Sequence, residues 1–501
     1  MITNIEETHI YRASIKETLF FFLFYAFLVV IRYKTNNIVS QIFFLIPLVA
    51  FLFSKKVYFW LAFFFLLLES PGYLLHNFDT NYSLPQYLSF GERGIYFHEL
   101  IVLATIIKCF LITEKDKITL SLRTPYIVII IYIIFLFVLS FAYSIETFKI
   151  FRILRFLFVY SLIYTLPILL TKKEDYFNLF SLIFTIVYLV LFIQFLEFYL
   201  GVPSMANLLG GNPFIIDEVD YSTVQDRMSR PLYAPYVIEL ACIGAIFFLS
   251  YKIKIFNESY LYVSIAISFV AIFMSATRGL MLTLLTTVTG YLIFVHNKLR
   301  ALSAIIIILL LAMIVLITLS KIPLIKYQIE SSFERLSTIQ YILQGDPSAG
   351  GTLGRLTERA PRVYNQFLES PMVGFGFSDI FWQYADHHVG HHTMLLNGGI
   401  VGYSIFIFFC IYFISTVLRT RSIISDNNPY KSSLLVLLIG FASLLVHHST
   451  SGMIFSFIIT WPYNGWFFLV ALFLSFSDFV IKDALREEIN LNQWHETQRL
   501  P

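Results

Sequence analysis

The sequence predicts an all-α polytopic membrane protein with about fourteen membrane helices, on three grounds. Apolar residues make up 58% of the 501-residue chain and charged residues 13%, where a soluble globular chain carries roughly 45–50% and about 25%. The mean hydropathy is +0.75. The apolar residues also gather into blocks near the roughly 17–25 residues that a helix needs to cross a bilayer. A cytosolic enzyme, a nucleic-acid binder and a disordered scaffold are excluded as the main body. The net charge of +3 is too small to attract a polyanionic partner such as nucleic acid. Cys109, Cys242 and Cys410 all lie in apolar runs, so neither a disulfide framework nor a thiolate metal motif is expected.

The blocks follow in order. The first centres near Phe24, behind a polar stretch from Met1 to Glu17 that lacks a small-residue cleavage site; it reads as a retained span, not a signal peptide. The next centre near Ile46, Phe63, Thr105 and Tyr132. The Thr105 block carries Lys108, whose stem can snorkel to the inner surface. The block near Val159 follows a basic start in which Lys149, Arg152 and Arg155 stand three apart on one helix face. A block near Val187 precedes a polar loop, Gly201 to Pro231, that holds Arg227 and Arg230. Blocks near Gly244, Ser268, Thr287 and Leu309 follow, with the tight junction Ser275-Ala276-Thr277-Arg278-Gly279 between the second and third of them. Residues 1–320 therefore read as helices one to eleven. Residues 321–392 form one long loop, with a helix over Thr352–Glu369 and a turn-rich run, Ser370-Pro371-Met372-Val373-Gly374-Phe375-Gly376. That loop is expected to fold back on the bundle as a lid or half-embedded element. Residues 393–480 supply spans near Ile407, Leu437 and Val470, and 481–501 form a tail. No internal repeat is visible.

Charge sets the orientation, because cytoplasmic connections carry an excess of Lys and Arg. With the N-terminus inside, inner connections hold Lys55 and Lys56, Lys172 and Lys173, Lys298 and Arg300, and Arg419, Arg421 and Lys431. Both termini then face the cytoplasm. The Gly201–Pro231 loop, the Arg278 junction and the long loop face outward.

Outer arginines run against that rule, so each asks for a reason. Arg278 sits at a helix junction. Arg152, Arg155, Arg227 and Arg230 stand just before spans, and Arg335, Arg355, Arg359 and Arg362 lie in the long loop. The guanidinium fork matches phosphate oxygens bidentately, which suits a lipid-linked diphosphate; the plainer reading is anchoring to lipid headgroups. A second feature is Asp386-His387-His388-Val389-Gly390-His391-His392-Thr393. His388 and His392 have an i,i+4 spacing that suits metal ligation. Beyond Asp386 no carboxylate partner stands out, so no metal is assigned, and a neutral histidine acting as base or donor is preferred. His447 and His448 end the thirteenth span, where they could join the same cavity, though a polar interfacial cap is the favoured reading; Glu99, Glu197 and Glu239 sit near outer helix ends, where a charged group pairs with a neighbour, lines a polar cavity or balances the arginines. No nucleotide-binding loop appears. A transferase here would take an activated donor already in the membrane.

Three segments together resemble the superfamily of O-antigen ligases and O-antigen (polysaccharide repeat-unit) polymerases, bacterial inner-membrane glycosyltransferases. Ser275 to Gly279 is similar to its Ser/Thr-Arg-Gly junction. Gly354-Arg355, then Glu369 to Gly376, is similar to its Gly-Arg, helix, Pro-x-x-Gly-x-Gly loop. His388 through Gly399-Ile400-Val401-Gly402 is similar to its histidine-led Gly-x-x-Gly motif. The resemblance covers about Arg227 to Tyr403. It departs at Val389, where ligases carry Asn, Ser or Gln, and at Arg230, where glycine is expected.

The resemblance implies a GT-C-like fold and a periplasm-facing site that needs neither cofactor nor metal. It implies a donor glycan on undecaprenyl diphosphate, drawn from membrane lipid. Arg278 and Arg355 would hold the diphosphate, and His388 would approach the acceptor hydroxyl. Arg227, Arg230, Arg152, Arg155, His391 and His392 are the further substrate-binding candidates. Val389 favours a polymerase over a ligase that delivers to lipid A core; a chain-length-regulating membrane protein is the expected partner. A glycan or lipid transporter is the other class, and it should show internal pseudo-symmetry.

Overall fold

The computed structural model describes residues 15–69, 85–90, 93–111, 120–143, 145, 155, 158–200, 235–275, 277–294, 298–322, 325–326, 329–330, 332–333, 337, 344, 354–386, 388–450 and 465–498. The described chain is predominantly helical. Each of the expected apolar centres, from Phe24 to Val470, falls within a helix. Among the described residues, four helices are long and apolar enough to cross a membrane: Arg123–Ala142, Lys173–Phe192, Gly390–Ile423 and Ser433–Thr450. Shorter apolar helices accompany them.

In chain order the helices are α1 (Ile15–Lys34), α2 (Asn37–Phe53), α3 (Val57–Glu69), α4 (Phe97–Leu111), α5 (Arg123–Ala142), α6 (Leu162–Leu169), α7 (Lys173–Leu200), α8 (Pro235–Ser250), α9 (Glu258–Met274), α10 (Arg278–Phe294) and α11 (Lys298–Leu319). After the long loop come α12 (Ala360–Phe367), α13 (Asp379–Tyr384), α14 (Gly390–Ile423), α15 (Ser433–Thr450) and α16 (Gly465–Gln498). Side chains mark several starts. Asn36 accepts from Val39 N at 3.0 Å to cap α2, and Asn257 accepts from Ser259 N at 2.9 Å to cap α9.

Helix α8 stands at the centre. It packs against α3, α7, α9, α10, α15 and α16, and every residue from Val237 to Phe248 is buried. A helix apolar all round has to be covered all round. At the periphery the soluble pattern is reversed. On α1, Ile15, Leu19 and Leu23 form an exposed apolar row, as do Leu302, Ile306, Leu310, Met313 and Ile317 on α11. Such surface is costly in water and neutral in hydrocarbon.

Two details depart from the expected all-α pattern. A short antiparallel hairpin, β1 (Gln86–Phe90) and β2 (Arg93–Tyr96), leads into α4, with Tyr87 opposite Ile95. Lys108 does not snorkel to water. It is 6% exposed, and its Nζ donates to the Phe51, Leu52 and Ser54 carbonyls at 2.6, 3.1 and 2.7 Å. A cation there satisfies the orphan carbonyls at the end of α2.

Candidate functional site

The long loop is stitched into a broken helix. Gly399 has φ +62° and interrupts α14. The break frees backbone groups on both sides, and the turn-rich run takes them. Phe375 N donates to Leu396 O at 2.9 Å and Gly376 N to Asn397 O at 2.7 Å, while Ile400 N and Val401 N donate to Pro371 O and Met372 O at 2.9 and 3.0 Å. Non-helical backbone at membrane depth persists only where protein satisfies it. Gly374 and Gly376 also have positive φ; a Cβ on Gly374 would stand 2.5 Å from Gly399 N. Below, Phe377 N donates to Ser140 Oγ on α5 at 2.7 Å. The described part of the loop folds back on the bundle through these bonds.

The expected helix at Thr352–Glu369 begins with a π-helical turn, Arg355–Arg359, and continues as α12. Buried Asp386 clasps it to the histidine motif. The carboxylate lies 3.6 Å from Arg359 Nη1 and 3.2 Å from Arg362 Nη2, and accepts from the backbone N–H of His388 at 2.9 Å. Thr393 Oγ1 donates to Asp386 O at 2.7 Å, which closes the turn onto the first turn of α14.

The start of α8, the starts of α10 and α14 and the end of α15 then meet. His391 pairs through Nε2 with Ser449 Oγ at 3.1 Å and through Nδ1 with Tyr403 Oη at 3.3 Å. Its ring meets that of buried His448 edge-on, centroids 4.8 Å apart. The neighbouring His447 is bonded through Nδ1 to Glu239 Oε2 on α8 at 2.7 Å, with both side chains buried. Tyr236 stacks on the His447 ring at 5.6 Å. Glu69, closing α3, accepts from Tyr236 N at 2.9 Å and so caps α8. Arg278 opens α10, which packs closely on α15: a Cβ on Gly279 would fall 2.7 Å from Thr450 Oγ1. Thr450 Oγ1 in turn donates to His447 O at 3.0 Å.

The candidate residues divide as follows. Arg278, His388, His391 and His392 converge on this end of the bundle; all are half-buried, and His392 meets Tyr364 of α12 edge-on. Arg155 stands elsewhere. It is ion-paired with Glu99, donates to Gly94 O at 2.7 Å and lies over the Tyr96 ring, fastening the hairpin to α4. Arg355 is placed in the π turn, with its side chain outside the described residues. Arg152, Arg227, Arg230, Arg335, His387 and Lys149 lie outside the described residues, as does the side chain of Glu197. Among the described residues no three His, Cys, Asp or Glu side chains are grouped as a metal site requires. An apolar cavity sits between α5, α6, α14, α15 and α16, lined by Tyr160, Phe409, Leu444 and Trp466 among others.

Three residues carry more in the fold than their local sequence suggests. Glu69 belongs to no motif, although a carboxylate ending an apolar run is a visible signal. Asp386 reads from sequence only as the carboxylate beside the histidine run, and His447 as a polar cap on a span end. Their pairings with Arg362 and Glu239 join elements apart in sequence, and no spacing announces them.

No protein-family profile, curated protein or solved structure matches the chain. The fold and its apolar helices define a helical membrane protein with a polar cluster of arginine, histidine and carboxylate at one end of the bundle.

Proposed function

We propose that this protein polymerises lipid-linked oligosaccharide repeat units on the outer face of a bacterial inner membrane, over a GT-C-like bundle of about fourteen spans. The observation that carries the reading is the meeting of the Arg278 helix start with the histidine-bearing ends of α14 and α15. The sequence resemblance assigns diphosphate and acceptor to those two elements. In this reading an acceptor sugar hydroxyl attacks the anomeric carbon of a glycan on undecaprenyl diphosphate. Arg278 and Arg355 stabilise the charge that develops on the leaving diphosphate, and a histidine of the cluster receives the acceptor proton; the sequence motif offers His388 for that role. No metal or cofactor takes part, and the remaining partners are membrane lipid and a chain-length-regulating membrane protein.

Removing one preorganised charge of this kind slows a reaction by roughly 10²–10³. Arg278→Ala and Arg355→Ala are expected to abolish long-chain glycan while the protein stays in the membrane at normal level. Normal chain length in both variants overturns the reading. Purified wild-type protein, given a lipid-diphosphate-linked repeat unit and a chelator, is expected to build a ladder of products on a gel. Transfer only after addition of lipid A core makes it a ligase instead. Inactivity in both assays returns weight to transport.

A further inference from the structure

We infer that His447, oriented by Glu239, is the group that accepts the proton of the attacking sugar hydroxyl. The inference rests on the glycosyl-transfer reading and assigns one step within it to a residue that the sequence motif does not contain. Glu239 Oε2 lies 2.7 Å from His447 Nδ1. A carboxylate on Nδ1 fixes the ring and its tautomer and leaves Nε2 for proton transfer. Tyr236 stacks on the ring, and Glu69 holds the Tyr236 backbone, so the pair is braced from two elements.

The second oxygen of Glu239 supplies an independent sign. The residue is 3% exposed, and Oε1 has no hydrogen-bond partner among the described residues. A buried carboxylate oxygen without a donor costs free energy. Ionisable groups kept in that condition within a membrane bundle mark substrate paths or proton relays. The location fits: Glu239 lies in the first two turns of α8 and His447 in the last turn of α15, the same turn against which the Arg278 helix start packs.

The step balances. The acceptor O–H bond breaks and its proton passes to His447 Nε2. The oxygen forms a bond to the anomeric carbon, the bond from that carbon to the diphosphate oxygen breaks, and its electron pair leaves on the diphosphate. The imidazolium then returns its proton to solvent.

The test measures kcat and KM of purified protein in nanodiscs on a synthetic lipid-diphosphate-linked repeat unit. His447→Ala is expected to lower kcat by roughly 10²–10⁴ with little change in KM, and added imidazole to restore part of the activity. Glu239→Gln, which keeps shape and size, is expected to lower kcat at unchanged KM even if His447→Ala does not fold. Wild-type kcat in Glu239→Gln overturns the inference, and so does wild-type kcat in His447→Ala. A wild-type protein that elongates nothing overturns the parent reading, which separates the two failures.

Discussion

Asp386, Lys108 and Glu488 are charged residues that the bundle buries, and each is compensated differently. Asp386 holds two arginines and a backbone N–H, and Lys108 holds three carbonyls. Glu488, on the extension of α16 beyond the apolar block, accepts from Ser425 N at 2.9 Å, Ser425 Oγ at 3.0 Å and Asn428 Nδ2 at 3.2 Å. Burial by itself would raise its carboxyl; the Ser425 N–H, the Asn428 amide and the Ser425 hydroxyl together outweigh it and hold the group below its ordinary range. A group depressed in the folded state stabilises at pH above its unfolded value and loses that contribution as pH falls through the folded one. The stability difference between wild type and Glu488→Gln is therefore expected to be full at neutral pH and to shrink below about pH 4.3. Thermal unfolding of detergent-solubilised protein across pH checks it; a difference that grows in acid contradicts it.

At the scale of elements, the decisive feature is the break in α14. Helix α14 gives up its own bonds around Gly399, and the Pro371–Gly376 strip replaces them. The sequence shows both pieces, a Pro-x-x-Gly-x-Gly run and a Gly-x-x-Gly opening a span, but as separate motifs. Their joining depends on backbone groups that are alike in every residue and therefore leave no trace in side-chain identity. Gly399→Ala forces a side chain onto positive φ, a strain of order 1–3 kcal/mol, and Gly374→Ala adds a collision with the facing backbone. Both variants are expected to unfold at lower temperature and to reach the membrane in smaller amount. Ala at exposed Gln383, on α13 nearby, is expected to change neither. Fluorescence-detected size exclusion after a heating series reads all three.

For the whole molecule, charge and hydropathy carry the expected orientation, and buried central helices carry the packing. Helices α8, α3 and the apolar part of α16 are buried along almost their whole length, whereas α1, α5 and α11 turn apolar rows outward. Asn428 and Tyr430 bind α16 at Ala484 O and Asp483 at 2.8 and 2.6 Å, beside the basic Arg419–Lys431 connection. The positive-inside rule predicts a cytoplasmic position for that connection. A cysteine at exposed Asn427 is expected to react with a membrane-impermeant maleimide only in broken cells, and one at Gln383 also in intact spheroplasts. The opposite labelling pattern inverts the topology and removes the outer site.

By itself the sequence determined the class, the order of the apolar helices and most of the residue types at the polar cluster, because hydropathy and spacing are local properties that survive without a fold. Arg278, His388 and His391 are legible through motifs of that kind. Only the tertiary structure decided which of these residues meet. It moved Arg155 into a clasp on Glu99, joined Glu239 to His447, tied Asp386 to Arg359 and Arg362, and wove the long loop into α14. The physical reason is that a buried charge or an orphaned backbone group must find a partner. In a many-helix bundle that partner comes from whichever element packing brings near, at sequence separations that no local pattern encodes.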